Sequence, residues 1–260
     1  MKLIKNLYQY RELLKSNIKK EIRGKYKGSI LGVLWSFLNP LLMVMVYFLV
    51  FPFLFRNTVD NYLVYLVIGV IPWNFFTTTM NQGIMTIRVN EGIIKKVYFP
   101  REILPISVAT SGLVNFFISS IIMVLFCLFG GVGLSWHILL FPIFALVQYF
   151  ITLGLVLGLS AINVYIKDTE YIVQFFVNML FYGTPILYDI STFDTFPAML
   201  MNIINLNPFK HLMVIYRDLF MYHNLPDLGA VLYVFIIAII CFLCGLAIFR
   251  KLEKGFAEEV

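Results

Sequence analysis

The chain has 260 residues, of which 60% are hydrophobic and only 13% are charged. So large an apolar share leaves too little polar surface to cover a soluble globule, which excludes an ordinary soluble enzyme and indicates an integral membrane protein. The formal net charge of +6 suits the anionic inner face of a membrane, so no nucleic-acid partner is needed to explain it.

The first 27 residues predict an amphipathic helix. Leu3, Leu7, Tyr10 and Leu14 recur at spacings of three and four, whereas the basic residues between them face elsewhere. A helix of this kind lies on the inner membrane surface. A solvated basic helix is the alternative, and the pattern does not choose between the two.

Uncharged apolar runs long enough to cross a membrane come next. A helix rises about 1.5 Å per residue and must cross about 30 Å of hydrocarbon. Six runs qualify, and the fifth is the shortest: 30–55, 62–82, 106–129, 138–163, 172–188 and 228–249. The sequence therefore predicts one all-α membrane domain over residues 1–260.

The distribution of Lys and Arg predicts the orientation. Of the 20 Lys and Arg residues, 17 fall in segments 1–29, 83–105, 164–171 and 250–260, which lie on one side of the membrane. Cytoplasmic segments retain positive charge. Both termini are therefore expected in the cytoplasm of a multi-pass inner-membrane protein.

Segment 189–227 lies on the opposite side. It holds two apolar stretches too short to span, separated at Asn207 and Pro208. We expect two short re-entrant helices there. They form either a gate over a pore exit, with Asn207 and Pro208 at its hinge, or a packing cap.

The sequence contains no arrangement of residues that is typical of catalysis or of ATP binding. The predicted spans contain no Asp, Glu, Lys or Arg, and Gly24-Lys25 does not complete a P-loop. The Cys-x-x-Cys at 241–244 has no second pair for zinc. We therefore expect no catalytic residue, no metal site and no cofactor on this chain, and we expect another polypeptide to supply energy.

Several motifs carry a resemblance over nearly the whole chain. They are YKGSILGVLWSFLNPLLMVMVYFLVF, GVIPWNFF, KKVYFPREILPI, NVYIKDTEYIVQFFVNMLFYGTPILYD, NLNPF and the tail FRKLEKGFAEEV. In this order they resemble the permease subunits of ABC-2 type polysaccharide exporters. That family includes permeases for O-antigen, capsule and teichoic acid.

The resemblance implies a permease homodimer that works with two copies of an ABC ATPase subunit. The ATPase would bind ATP and Mg, and the substrate would be an undecaprenyl-linked or otherwise lipid-anchored glycan. Rival interpretations are an ABC-2 permease for a lipid, a drug or another small molecule, and a stand-alone membrane enzyme.

The resemblance also places the ATPase contacts in the loops on the cytoplasmic side. Loop 83–105 would be the coupling loop, with cations Lys95, Lys96 and Arg101, exposed apolar anchors Val97, Tyr98 and Phe99, and Pro100 as a stiffener. Lys167, Asp168 and Glu170 would form a second, smaller contact. An ordinary basic turn is the alternative.

Two further groups of residues are candidates for contact with the substrate. Aromatic and polar side chains in or near the spans predict a translocation path, although packing also explains the aromatic ones: Trp35, Ser36, Asn39, Tyr47, Trp73, Phe75, Asn178, Phe181 and Tyr182. Arg23, Tyr26 and Lys27 predict a site for the lipid pyrophosphate. Phospholipid anchoring explains those three equally well.

Overall fold

The computed structural model describes residues 2–24, 28, 31–55, 59–190 and 197–259, and these contain helices and turns but no strand. The helices are α1 (Lys2–Gln9), α2 (Arg11–Gly24), α3 (Trp35–Phe55), α4 (Tyr62–Val89), α5 (Glu91–Ile94), α6 (Ile103–Phe129), α7 (Phe141–Tyr165), α8 (Thr169–Tyr182), α9 (Ala198–Asn205), α10 (Pro208–Arg217), α11 (Leu228–Leu252) and α12 (Phe256–Glu259). The predicted all-α class is confirmed for this part of the chain.

Five helices in the described residues are long and apolar enough to cross a membrane. They are α3, α4, α6, α7 with the 3₁₀ turn Trp136–Leu140 before it, and α11. They correspond to the first four predicted spans and to the sixth.

The fifth predicted span, 172–188, differs from the structure. Helix α8 has 14 residues, which is about 21 Å and short of the hydrocarbon thickness. It ends at Gly183, whose backbone N–H donates to the Met179 carbonyl at 3.2 Å, and Pro185 follows in a turn. Six spans are therefore not confirmed. The apolar run 172–188 contains Gly and Pro residues that end a helix, and hydropathy does not take this into account.

Helix α4 is longer than the predicted span 62–82. It continues for two turns to Val89, its last residue. Asn90 follows as the C-cap, and its side-chain amide donates to the Thr86 carbonyl at 2.7 Å. Polar residues such as Arg88 mark the water interface in the sequence without ending the helix. The segment that links α4 to α6 is therefore 90–102 rather than 83–105.

The core of the molecule is built around α4, which packs against α3, α6, α7, α8 and α10. Helices α7 and α11 form a second tight pair. They cross at Gly154 and Gly245, where a Cβ on Gly245 would lie 1.8 Å from the Gly154 carbonyl oxygen. Only glycine permits so close a backbone approach.

The segment 1–27, predicted as one amphipathic helix, contains two helices, α1 and α2. Residues 25–27 of this segment lie outside the described part of the chain. The apolar side chains Leu3, Leu7, Tyr10 and Leu14 pack against a buried cluster that includes Leu104 and Phe256. The apolar face therefore contacts protein, and its position on the membrane surface stays a prediction.

The opposite end of the molecule carries α9, α10 and a π-helical turn, Asp218–Tyr222. These are the two short helices expected in 189–227, of which residues 191–196 lie outside the described part. Their depth in the membrane stays a prediction.

Candidate translocation cleft and coupling surface

A cleft of about 770 Å³ lies between α3, α4 and α8. Six of the nine predicted path residues line it: Asn39, Tyr47, Trp73, Asn178, Phe181 and Tyr182. The structure therefore brings residues from three distant parts of the chain to one polar and aromatic surface.

A second cavity of about 200 Å³ lies on the other side of α3, against α4 and α6. The remaining predicted residues, Trp35, Ser36 and Phe75, line it. Asn39 and Asn74 line both cavities. Helix α3 thus separates two polar spaces that share one wall.

That shared wall is a polar row on α4 that sequence reasoning missed. Asn74, Thr77, Thr78, Asn81 and Gln82 line one or other cavity, and the amide oxygen of Asn74 accepts a hydrogen bond from the Thr78 hydroxyl at 3.0 Å. Their spacing of three and four residues puts them on one helix face. That spacing was the available signal, and a search for charged residues passes over it.

Two predicted path residues lie mainly in the core. Phe75 stacks on Phe116 with ring centroids 5.0 Å apart, and Trp73 packs against Phe76 and Phe209. Both side chains are buried. These two buried rings support the cavity walls and have little exposed surface. Tyr182 differs, because its side chain lines the cleft and is 73% exposed.

The segment that links α4 to α6 presents an exposed cationic and apolar edge. Lys95, Lys96, Val97 and Tyr98 are all exposed, and Tyr98 is 93% exposed. The prediction that Phe99 is an exposed anchor is wrong, because its side chain is only 6% exposed and belongs to the buried cluster on which α1 and α2 pack. Pro100 is half-buried beside it.

Contacts with the N-terminal helices hold both ends of this segment. The Lys20 ammonium donates to the Asn90 side-chain oxygen at 3.4 Å, and the Asn6 amide donates to the Glu102 carboxylate at 3.1 Å. Glu102 is buried. Sequence reasoning missed Asn6, Asn90 and Glu102, because their partners lie 70 to 96 residues away.

The residues of the second predicted ATPase contact differ in their surroundings. Lys167 and Asp168 are exposed just before α8. Glu170 lies 3.5 Å from the Arg88 guanidinium, so this carboxylate links the start of α8 to the end of α4. Arg101, predicted as a docking cation, is partly exposed and donates to the Glu253 carbonyl oxygen.

Asn207 and Pro208 lie where α9 and α10 meet the end of α8. The Asn207 side-chain oxygen accepts from the Phe209 N–H at 2.9 Å and caps α10, and its amide donates to the Thr184 hydroxyl at 2.8 Å. Arg217, at the other end of α10, is buried, and its guanidinium lies 3.4 Å from the centre of the Tyr65 ring. The first contact joins the start of α10 to the turn after α8, and the second joins the end of α10 to α4.

The predicted headgroup site is described only in part. Arg23 is exposed near the end of α2, whereas Tyr26 and Lys27 lie outside the described residues. Among the described residues, no group of three His, Cys, Asp or Glu side chains is placed to hold a metal ion.

Comparisons with known proteins agree with the sequence motifs. Residues 12–221 match the family model described as ABC-2 type transporter. The chain is 35% identical to the O-antigen export system permease protein RfbA of Myxococcus xanthus over 260 residues, which cover all of both chains. Two Klebsiella pneumoniae proteins of the same name are 34% and 32% identical, and each alignment covers 99% of this chain and 98% of the relative. The predicted resemblance is confirmed, and the chain belongs to the ABC-2 type transporter family.

Proposed function

We propose that the chain is the membrane subunit of an ATP-driven exporter that moves a lipid-linked polysaccharide across the inner membrane. The observation that carries this proposal is the full-length similarity to three O-antigen export permeases. O-antigen, capsule and teichoic acid are the glycan types that the sequence motifs suggest.

The cleft between α3, α4 and α8 is the proposed path. Its lining combines the amides of Asn39, Asn81 and Asn178 with the rings of Tyr47 and Tyr182. A sugar ring offers hydroxyl groups at its edge and a less polar face, so a wall of this composition can contact both.

A second copy of the chain closes the cleft in this proposal. The amide side chains that line the cleft would be unfavourable in contact with lipid. Apolar residues beside the cleft on α3 and α8, such as Met43 and Met179, are more than half exposed and could pack against another protein surface. A symmetric partner would bury these apolar side chains and separate the polar lining from lipid.

Cysteine cross-linking tests the homodimer. In a variant without the native cysteines, Met43→Cys is expected to form a disulfide between two copies in membranes. Ile239→Cys on α11 is the matched control, since Ile239 is also exposed and lies on the far side of α7. Equal cross-linking at the two positions, or none at Met43→Cys, would argue against this dimer.

Two copies of an ABC ATPase would bind the cytoplasmic side, with ATP and Mg on the ATPase. Lys95, Lys96, Val97 and Tyr98 supply the main contact, and Lys167 and Asp168 the smaller one. Because α5 and this segment follow α4 directly, a displacement of the docked segment reaches the polar row on α4 without a flexible linker. Both termini lie in the cytoplasm in this arrangement.

Arg23, Tyr26 and Lys27 are the proposed cytoplasmic contact for the lipid pyrophosphate. A double Arg23→Ala, Lys27→Ala variant is expected to lose substrate stimulation of ATP hydrolysis while it retains the ATPase. Unchanged stimulation would leave those residues only a role in phospholipid anchoring.

Deletion and complementation test the function directly. A strain without this gene is expected to lose its surface glycan and accumulate the lipid-linked glycan on the cytoplasmic side, and wild-type protein should restore export. Normal surface glycan in the deletion strain would favour an exporter of a lipid or small molecule.

A further inference from the structure

The C-terminal tail, residues 252–259, is packed into the cytoplasmic end of the molecule. After α11 the chain makes the 3₁₀ turn Glu253–Gly255 and the short helix α12. Phe256 is 0% exposed and belongs to the same buried cluster as Phe99 and Leu104. A tail that only ended the last span would have no need to bury an aromatic ring.

One side of the tail contacts the segment between α4 and α6. The Arg101 guanidinium donates to the Glu253 carbonyl oxygen and lies 5.7 Å from the centre of the Phe256 ring. Phe99 joins Phe256 in one buried cluster. The residues that follow the exposed Tyr98 are therefore held by the tail.

The other side of the tail contacts Tyr165, the last residue of α7, which immediately precedes the loop to α8. The Tyr165 hydroxyl donates to the Leu252 carbonyl oxygen at 2.8 Å, and its ring lies 6.4 Å from that of Phe256. Gly255 passes so close that a Cβ there would lie 2.3 Å from the Tyr165 hydroxyl oxygen. Lys167 and Asp168 follow directly in this loop.

The tail also forms one wall of a cleft of about 570 Å³ on the cytoplasmic side. Glu253 and Lys254 face Tyr98 and Arg101 across it, and Gln9 of α1 completes it. The tail, the N-terminal helices and the segment that links α4 to α6 thus border one continuous surface.

We propose that the tail is a positioning element of the ATPase-docking surface, which sets the segment of Tyr98 and the loop of Lys167 at a fixed separation. This inference rests on the proposed function. A rigid pair of contacts passes a movement of the ATPase to α4 and α8 together, whereas two independent loops would each absorb part of it.

A steric pair of variants tests the proposal in the permease co-expressed with its ATPase. Gly255→Ala introduces a methyl group against the Tyr165 hydroxyl, so the tail and the Tyr165 side chain must move apart and their contact is disturbed. Tyr165→Phe removes that oxygen, after which the nearest ring atom to the new Cβ lies 3.4 Å away, an ordinary contact. The double variant should therefore restore the tail to its place, apart from the lost Tyr165 hydrogen bond.

The readouts are the ATPase that co-purifies per folded permease and the glycan exported per ATP hydrolysed. We expect Gly255→Ala to lower each by about tenfold, and the double variant to recover to the level of Tyr165→Phe alone. Gly24→Ala is the control, since a Cβ at Gly24 meets no atom within 4 Å, and it should behave as wild type.

Two results with these variants would overturn the proposal. Gly255→Ala with wild-type ATPase retention and coupling, whether or not its melting temperature falls, would remove the positioning role. A double variant no better than Gly255→Ala would show that Tyr165 does not set the place of the tail. A wild-type chain that retains no ATPase would instead overturn the proposed function, and this inference with it.

Discussion

Helices α3 and α4 face each other across the same cleft, yet the chain buries them to very different extents. In the apolar stretch of α4, 78% of the residues are buried inside the protein, compared with 11% in α3. Both helices are apolar enough to span, so composition does not explain the difference. Position does: α4 is surrounded by its own chain, whereas most of α3 faces away from the rest of the chain.

The same contrast recurs between two adjacent residues, Tyr98 and Phe99. Phe99→Ala is expected to lower the free energy of unfolding by about 3–5 kcal/mol, because it opens a cavity in a buried cluster. Tyr98→Ala should change it by less than about 0.5 kcal/mol and instead reduce ATPase co-purification. Thermal unfolding of the detergent-solubilised protein measures the first effect.

The opposite ranking of these two variants in stability would contradict the assignment of Phe99 to the core. Equal ATPase retention in Tyr98→Ala and wild type would remove Tyr98 from the docking surface.

The contact between α4 and α6 should tolerate little added volume. A Cβ at Gly112 would lie 2.2 Å from the Thr79 hydroxyl oxygen, so Gly112→Ala is expected to cost about 1–3 kcal/mol of stability. Met45→Ala on α3 is the matched control, because Met45 is 59% exposed, and it should stay within about 0.5 kcal/mol. Comparable losses at both sites in thermal unfolding would break the contrast between α4 and α3.

The polar row should matter for export rather than for folding. Asn81 is exposed in the cleft, so Asn81→Leu removes an amide from the proposed path while it leaves the core intact. We expect export to fall several-fold and the melting temperature to stay level, since an exposed side chain contributes little to the free energy of unfolding. The assay is surface glycan in a complemented deletion strain, and normal export would take Asn81 out of the path.

The smallest predicted effect concerns Asp218 in the π-helical turn that follows α10. Burial, with a smaller contribution from the charge of Asp227, raises the pKa of Asp218 to about 6. Because the pKa is higher in the folded protein, this carboxyl group stabilises the fold at low pH, and that stabilisation is lost as the pH rises through about 6. The melting temperature of wild type minus that of Asp218→Asn should therefore fall between pH 4 and 7. A difference that does not change with pH would contradict the raised pKa.

Much of this architecture could be predicted from the sequence, because the length of an uncharged apolar run can be compared directly with the thickness of the membrane. Five of the predicted spans correspond to long helices for that reason. The fifth did not, since Gly183 and Pro185 end α8 inside an apolar run. Hydropathy sums over a window and does not register where a helix stops.

The site was predicted in part, and the missing residues share a physical cause. Asn39 and Asn178 stand out as amides within apolar runs, whereas the row from Asn74 to Gln82 is recognised only from its helical spacing. Phe99 looked exposed because it lies between charged residues in a loop, and its burial depends on α1, α2 and the tail. Contacts over such sequence distances leave no local pattern.

Water access to the cleft tests the central claim most directly. In a variant without native cysteines, Thr77→Cys would be treated with a polar, membrane-impermeant thiol reagent in inverted membrane vesicles, with Leu146→Cys as control. Thr77 lines the polar cleft, and Leu146 lines an apolar groove between α7 and α11. The account predicts labelling of Thr77→Cys alone, because a thiol reacts as the thiolate, which requires water. Failure to label Thr77→Cys, or equal labelling of both, would contradict a hydrated path between α3, α4 and α8.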